Sequence, residues 1–328
     1  MPEPLLYVKS FAVALITSAV WVLVITRLRR EQTTNLNRIS TPAIGVGMAI
    51  GLMVMKVQWA WPLASALDRF LTIILPAVIC IQWIAAARCT PLWLTWLMRL
   101  CLVAALPRIL LHQSVYLIDS DETPLWQSYL TMVICSGVLA VVWYSLCRLS
   151  KRSVESVSIP ISLCVSLQSA GVCVMLAGYL KGGAVTIPIT AAVIGTAISA
   201  SVMMRNRGEA KLAFHSDALI GIAVVSLFSV LFFGHFFGRI TMTSALAMMI
   251  APTLCWVTEL RGVQPASPWR AAVFRITTVT LLLLVVLVQA KRNFDRSFAP
   301  LLKNQEIGEL QTRYAQTFPI ELESSSLR

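Results

Sequence analysis

The chain has 328 residues, 57% of them apolar and only 13% charged, with a net charge of +12 and a mean hydropathy of +0.76. Soluble domains carry about 25% charged residues, and no soluble core hides this much apolar surface, so the composition excludes an ordinary globular domain. The basic excess is not a nucleic-acid footprint either, because Lys and Arg fall in short connections beside apolar runs, with no basic face or RNA-binding motif.

A hydrocarbon core about 30 Å thick needs roughly 20 apolar helical residues. Such runs predict an all-α, polytopic helical membrane protein with about ten transmembrane helices and no sizeable soluble domain. Spans are expected near 5–26, 42–61, 67–87, 91–111, 128–147, 158–180, 184–204, 217–237, 240–260 and 270–290, forming one transmembrane domain over 1–290. Residues 291–328 read as a polar, partly amphipathic tail, with Leu301, Leu302, Ile307 and Leu310 before a Ser-rich end.

The first run is followed at once by Arg27, Arg29 and Arg30, which marks an uncleaved anchor rather than a signal peptide, whose charge precedes its apolar core. The second span carries Gly47 and Gly51 at four-residue spacing, a face on which two helices can approach closely. Lys56 lies near its end beside Trp59 and Trp61, where a long stem reaches the headgroups. Asp68 and Arg69 open the third span, and Gln82 lies deeper in it. Proline 76 in this span and proline 252 in the ninth each remove a donor and favour a kink.

The fourth span is the weakest, because Arg99 interrupts it and Pro107 with Arg108 falls near its end. Nine residues of helix separate Arg99 from Arg108, roughly 13 Å, so both cannot sit at one surface. Either Arg99 faces a polar interior, or the true span starts later. Arg108 stands at about the level of Asp68, and an ion pair between them is expected.

Further along, Ser158-Ile-Pro-Ile-Ser162 and Thr186-Ile-Pro-Ile-Thr190 open the sixth and seventh spans, with proline in the first turn, where its missing donor is not needed. Gln168 is a second deep amide, and Ala191, Gly195 and Ser199 form another small-residue face. Ser216 or Asp217 is expected to cap the eighth span, His235 to belong to an aromatic belt, and Arg275 to reach from the tenth span to the headgroups.

The basic residues of the odd connections (Arg27 to Arg38, Arg88, Arg148 to Arg152, Arg205 to Lys211, Arg261 and Arg270) contrast with the acidic Asp119, Asp121 and Glu122 of the fourth. By the positive-inside bias the odd connections face the cytoplasm, both termini lie outside, and the expected location is a bacterial inner membrane.

The eight cysteines and three histidines show neither CxxC nor HExxH, and no GxSxG or P-loop occurs, so no catalytic residue, metal or cofactor is expected. No carboxylate falls at mid-membrane to couple protons or sodium. The residues that attract attention are Arg99, Gln82, Asp68 and Arg108. They are read as a polar or ligand site of a passive or exchange-type carrier of a small anionic or amphiphilic solute. The alternatives are a non-catalytic scaffold within a larger membrane complex and a transferase acting on lipid-linked substrates. The expected partners are the bilayer itself and either other membrane proteins or further copies of the chain.

Overall fold

The computed structural model describes residues 4–28, 36–57, 63, 65–87, 89–114, 125–152, 157–206, 216–259 and 268–317. These are mostly helical, with no strand among the described residues. In chain order the elements are α1 (Pro4–Leu28), α2 (Leu36–Val54), α3 (Ala66–Ala85), α4 (Leu92–Leu111), α5 (Leu125–Arg152), α6 (Ser158–Leu176), the short α7 (Leu180–Ala184), α8 (Thr186–Asn206), α9 (Asp217–Phe236), α10 (Met242–Ile250) and α11 (Pro268–Thr317). A 3-10 helix, Ala251–Glu259, continues α10.

Among the described residues, eight helical segments are long and apolar enough to cross a membrane: α1, α3, α4, most of α5, α6, α7 with α8, α9, and Trp269–Arg296 of α11. The other two expected spans take different forms. Helix α2 is displaced toward the N-terminus, so that it begins at Leu36, takes in Asn37 and Arg38, and ends at Val54. Lys56 follows it as an exposed turn residue with φ 53° rather than as part of a span. The ninth is divided, because Pro252 supplies no backbone donor and the chain tightens into the 3-10 form from Ala251 onward. Pro76 is absorbed differently, since the preceding turn, Phe70–Ile74, widens to π geometry before the α-helix resumes. The tenth helix does not stop at the expected start of the tail but runs unbroken to Thr317. Side chains beyond residue 296, and the readings on Arg29, Arg30, Trp59, Trp61, Arg88, Asp119, Asp121, Glu122 and Arg207, lie outside the described residues.

Helix α9 is the axis of the bundle. Its sequence is apolar on every side, and every residue from Ala218 to Gly234 is buried. A helix without a polar face must be enclosed on all sides. It is surrounded by α2, α3, α5, α6, α8 and α10. The outer helices instead present apolar side chains outward, among them Val20 on α1, Val133 on α5 and Leu281 on α11. Exposed apolar surface on this scale calls for a lipid or protein neighbour.

A second seam joins α1, α2 and α8. The buried stripe of α1 is Ser10, Ala14, Ser18, Val22 and Thr26, one residue every four. A Cβ on Gly47 would lie 2.8 Å from the Ala14 carbonyl oxygen, and one on Gly51 2.7 Å from Pro188 Cβ. One on Gly195 would lie 2.4 Å from the Leu15 carbonyl oxygen. Ser10 Oγ donates to the Gly51 carbonyl at 2.8 Å. Ala191 and Ser199 are buried on α8, the latter donating to the carbonyl of Gly195. Pro160 and Pro188 both fall in the first turn of their helices.

Candidate functional site: a polar chamber at one end of the bundle

Helix α4 turns Thr95, Arg99, Leu102, Val103, Leu106 and Leu110 inward. Arg99 therefore occupies a core-facing position, seven residues into an unbroken helix, or roughly 10 Å along it at 1.5 Å per residue. Arg99 thus faces the interior of the bundle. Helix α3 buries Leu75, Val78 and Gln82 on one stripe, and α5 buries Leu139, Trp143, Leu146 and Cys147. The three stripes converge on the guanidinium.

Arg99 is only 4% exposed. Its Nη2 donates to Gln82 Oε1 at 2.9 Å, and its Nη1 lies 3.9 Å from Cys147 Sγ, a weak acceptor. The guanidinium carbon stands 5.1 Å from the centre of the Trp96 ring and 5.6 Å from that of Trp143. A cation over an aromatic face gains about 0.5–2 kcal/mol. Neither contact saturates the group, since Arg99 Nε and Gln82 Nε2 have no hydrogen-bond partner among the described residues. The identity of the Gln82 atoms is fixed, because a guanidinium offers no acceptor and so must face the carbonyl oxygen. The Gln82 amide presses on α9 at Gly221, where a Cβ would come within 2.1 Å of Nε2. Only glycine leaves room for it.

A cavity of about 90 Å³ opens beside this cluster, lined by Gln82, Arg99 and Trp96 together with Asn37, Lys151 and Asp217. Its walls come from the end of α3, the start of α4, the end of α5 and the starts of α2 and α9. Each wall is thus a helix end flanking an odd connection. Asn37 Oδ1 and Asp217 Oδ1 are also buried without a hydrogen-bond partner among the described residues. Lys151, Asp217, Asn37 and the two Trp faces were not apparent as a site in the sequence. Trp96, three residues before Arg99 and so on the same helical face, was the one readable signal.

Asp68 and Arg108 do not join this site, nor each other. Asp68 Oδ2 accepts from the backbone and hydroxyl of Ser65 at 3.2 and 2.7 Å, while Ser65 Oγ accepts from Asp68 N, a capping box at the start of α3. Arg108 is exposed, and no ion pair links the two. The neighbouring Arg69, 6% exposed, instead donates to the carbonyls of Leu110 and His112, closing the C-terminal end of α4. The expected pair does not form, because Asp68 is engaged by Ser65 at the start of its own helix and Arg108 is exposed on the outside of the bundle.

Arg275 also departs from expectation. Rather than reaching outward it is 5% exposed, and it donates to Thr258 Oγ1 at 2.7 Å, Ser158 Oγ at 3.1 Å and Glu259 Oε1 at 2.8 Å. These contacts tie α11, the 3-10 helix and α6 together. Ser216 does not cap α9 with its side chain but pairs with Ser150 Oγ at 3.0 Å. His235 Nδ1 lies 2.9 Å from the Ile240 carbonyl oxygen, with its ring edge-on to Phe236. Gln168 Oε1 has no partner among the described residues. No group of three His, Cys, Asp or Glu residues with metal-binding geometry occurs among the described residues. No protein-family model matches this sequence, and no curated protein resembles it significantly.

Proposed function

We propose that the chain is a polytopic membrane protein that admits a small anionic group to the chamber of Arg99, as a passive or exchange-type carrier. In this reading it crosses the bilayer ten times, the odd connections face the cytoplasm and both termini lie outside, in an inner membrane. The observation that carries the reading is the buried guanidinium of Arg99, whose Nε lacks a partner among the described residues at the wall of a cavity. A cation at membrane depth is costly, by about 2.5–3.5 kcal/mol on insertion scales, and is retained where a partner or an aqueous path meets it. Lys151 adds a second positive charge to the chamber.

The test is reconstitution of the purified protein in liposomes, with anionic solutes screened for uptake and for thermal stabilisation. A ligand at a hundred times its Kd stabilises by about 2.7 kcal/mol, which melting detects. Uptake and stabilisation that disappear in Arg99→Gln support the carrier. The second reading, a scaffold subunit, draws support from the partners Arg99 already has in Gln82, Trp96 and Trp143. Under it, no anion stabilises the protein, and Arg99→Gln changes stability or assembly alone.

A further inference from the structure

We propose that one phospholipid is bound at the end of the bundle away from the Arg99 chamber, with an acyl chain in an apolar groove along α9 and its phosphate at Arg239. The site rests on the membrane part of the preceding reading and is independent of the carrier part.

The groove lies between α5, α9 and α10 and encloses about 150 Å³. On α9 its lining runs from His235 back to Phe228, seven residues or roughly 10 Å, and so from the end of the helix toward the middle of the bundle. It is open at the molecular surface, since Ile134 is exposed and Cys135, Val138, Phe236, Met242 and Leu246 are half-buried. No polar surface is exposed in its wall. A water there would need two to four polar partners that the wall does not offer, so the occupant is apolar. Its size selects further. A space of about 150 Å³ takes a benzene-sized apolar group, whereas a helix about 10–12 Å across does not enter it. A single acyl chain does, and it follows the direction of the groove when its headgroup stays at the end of the bundle.

The charge at that end is of the matching sign. A second cavity, about 80 Å³, takes its polar lining from Arg239, Thr241, Ser244 and Asn293. It adjoins the groove, because His235 lines the one, Ile240 lines the other, and His235 Nδ1 donates to the Ile240 carbonyl at 2.9 Å. Arg239 is exposed and makes no ion pair among the described residues, and no Asp or Glu is among the residues lining its cavity. A guanidinium placed beside hydroxyls and an amide suits a phosphate, which arginine can hold through two parallel hydrogen bonds. The cation thus stands where the headgroup must lie once the chain fills the groove.

Native mass spectrometry and thermal shift of the full-length protein in detergent test the site. Phosphatidylglycerol is compared with diacylglycerol, which lacks the phosphate, and with glycerol 3-phosphate, which lacks the chains. The expected result is one phosphatidylglycerol retained per chain, with either fragment bound about tenfold or more weakly. Ala245→Phe fills the groove and should release the lipid; Leu246→Trp, from a half-buried position, makes the same test should Ala245→Phe fail to fold. Arg239→Gln should weaken phosphatidylglycerol about tenfold and leave diacylglycerol unchanged. Leu281→Trp, on the outward face of α11, should keep the lipid. Retention unaffected by both groove variants, or diacylglycerol bound as tightly as phosphatidylglycerol, overturns the site. So does a lipid-free dimer that the groove variants dissociate, which would assign the groove to a second copy. Release of the protein from membranes by carbonate without detergent is a separate readout, and it would overturn the membrane reading itself.

Discussion

Arg99 shows how one residue can be unfavourable alone and accommodated by its surroundings. Its guanidinium replaces an apolar side chain on the inward stripe of α4, and the cost is met by an amide, two aromatic faces and a chamber. The arrangement depends on a residue that touches no ligand, Gly221, since any side chain there collides with Gln82 Nε2 and, at 2.9 Å, with the Trp143 ring. Gly221→Ala is expected to destabilise the protein by about 1–3 kcal/mol, the usual range for overpacking. It should also weaken whatever binding Arg99 supports. Gly137 is the control, an exposed helical glycine on α5 with nothing within 4 Å of the added carbon. Gly137→Ala should stabilise by about 0.5–1 kcal/mol through helix propensity alone. Thermal unfolding of both variants in detergent checks the pair, and equal effects would contradict the packing described at α9.

Among the elements, the ends of α3 and α4 are held by contacts quite different from the ion pair that charge and depth predict. Asp68 serves its own helix through Ser65, and Arg69 closes α4 through two carbonyls. Asp68→Asn and Arg108→Gln should therefore be additive in a double-mutant cycle, within about 0.5 kcal/mol. A recovery of stability in the double variant would restore the pair. Arg69→Met should cost more than Arg108→Gln, because it leaves the Leu110 and His112 carbonyls without that donor. The seam of α1, α2 and α8 makes a second demand. With Gly47, Gly51 and Gly195 against the Ser10–Ala14–Ser18 stripe, the backbones approach too closely for any larger residue. Gly195→Leu should abolish accumulation of folded protein, whereas Ser10→Ala, which loses one hydrogen bond to the Gly51 carbonyl, should cost only about 0.5–1.5 kcal/mol. Quantitative fluorescence size-exclusion profiles separate these outcomes.

Across the whole molecule, the connections sort by parity. Residues beside the first, third, fifth and seventh connections line one chamber, and those beside the fifth and ninth meet at Arg275. At the other end Arg69 meets His112, Tyr179 packs edge-on to Phe233, and His235 meets Ile240, all beside even connections. With basic residues concentrated in the odd set, cysteines placed at Arg152 and Arg207 should resist an impermeant thiol reagent applied to intact cells. A cysteine at Ser120 should react, in a background without the eight native cysteines. Labelling of all three positions from outside would contradict the proposed orientation.

Composition and spacing by themselves determined that the chain folds into long apolar helices. Runs of about 20 apolar residues leave a helix as the only economical backbone, because every donor and acceptor is then met within its own segment. The four-residue spacing of small residues marked where backbones approach. Arg99 and Gln82 were legible as a candidate site for the same reason, being polar groups where burial is costly. Tertiary structure decided the rest. Whether Asp68 turned to Arg108 or to Ser65, and whether Arg275 reached outward or inward to Ser158, depended on partners that spacing cannot rank. The chamber likewise exists only where five helix ends meet, bringing Asn37, Lys151 and Asp217 to Arg99 from distant parts of the chain. Periodicity is a property of one helix, and a site assembled between helices leaves no period to read.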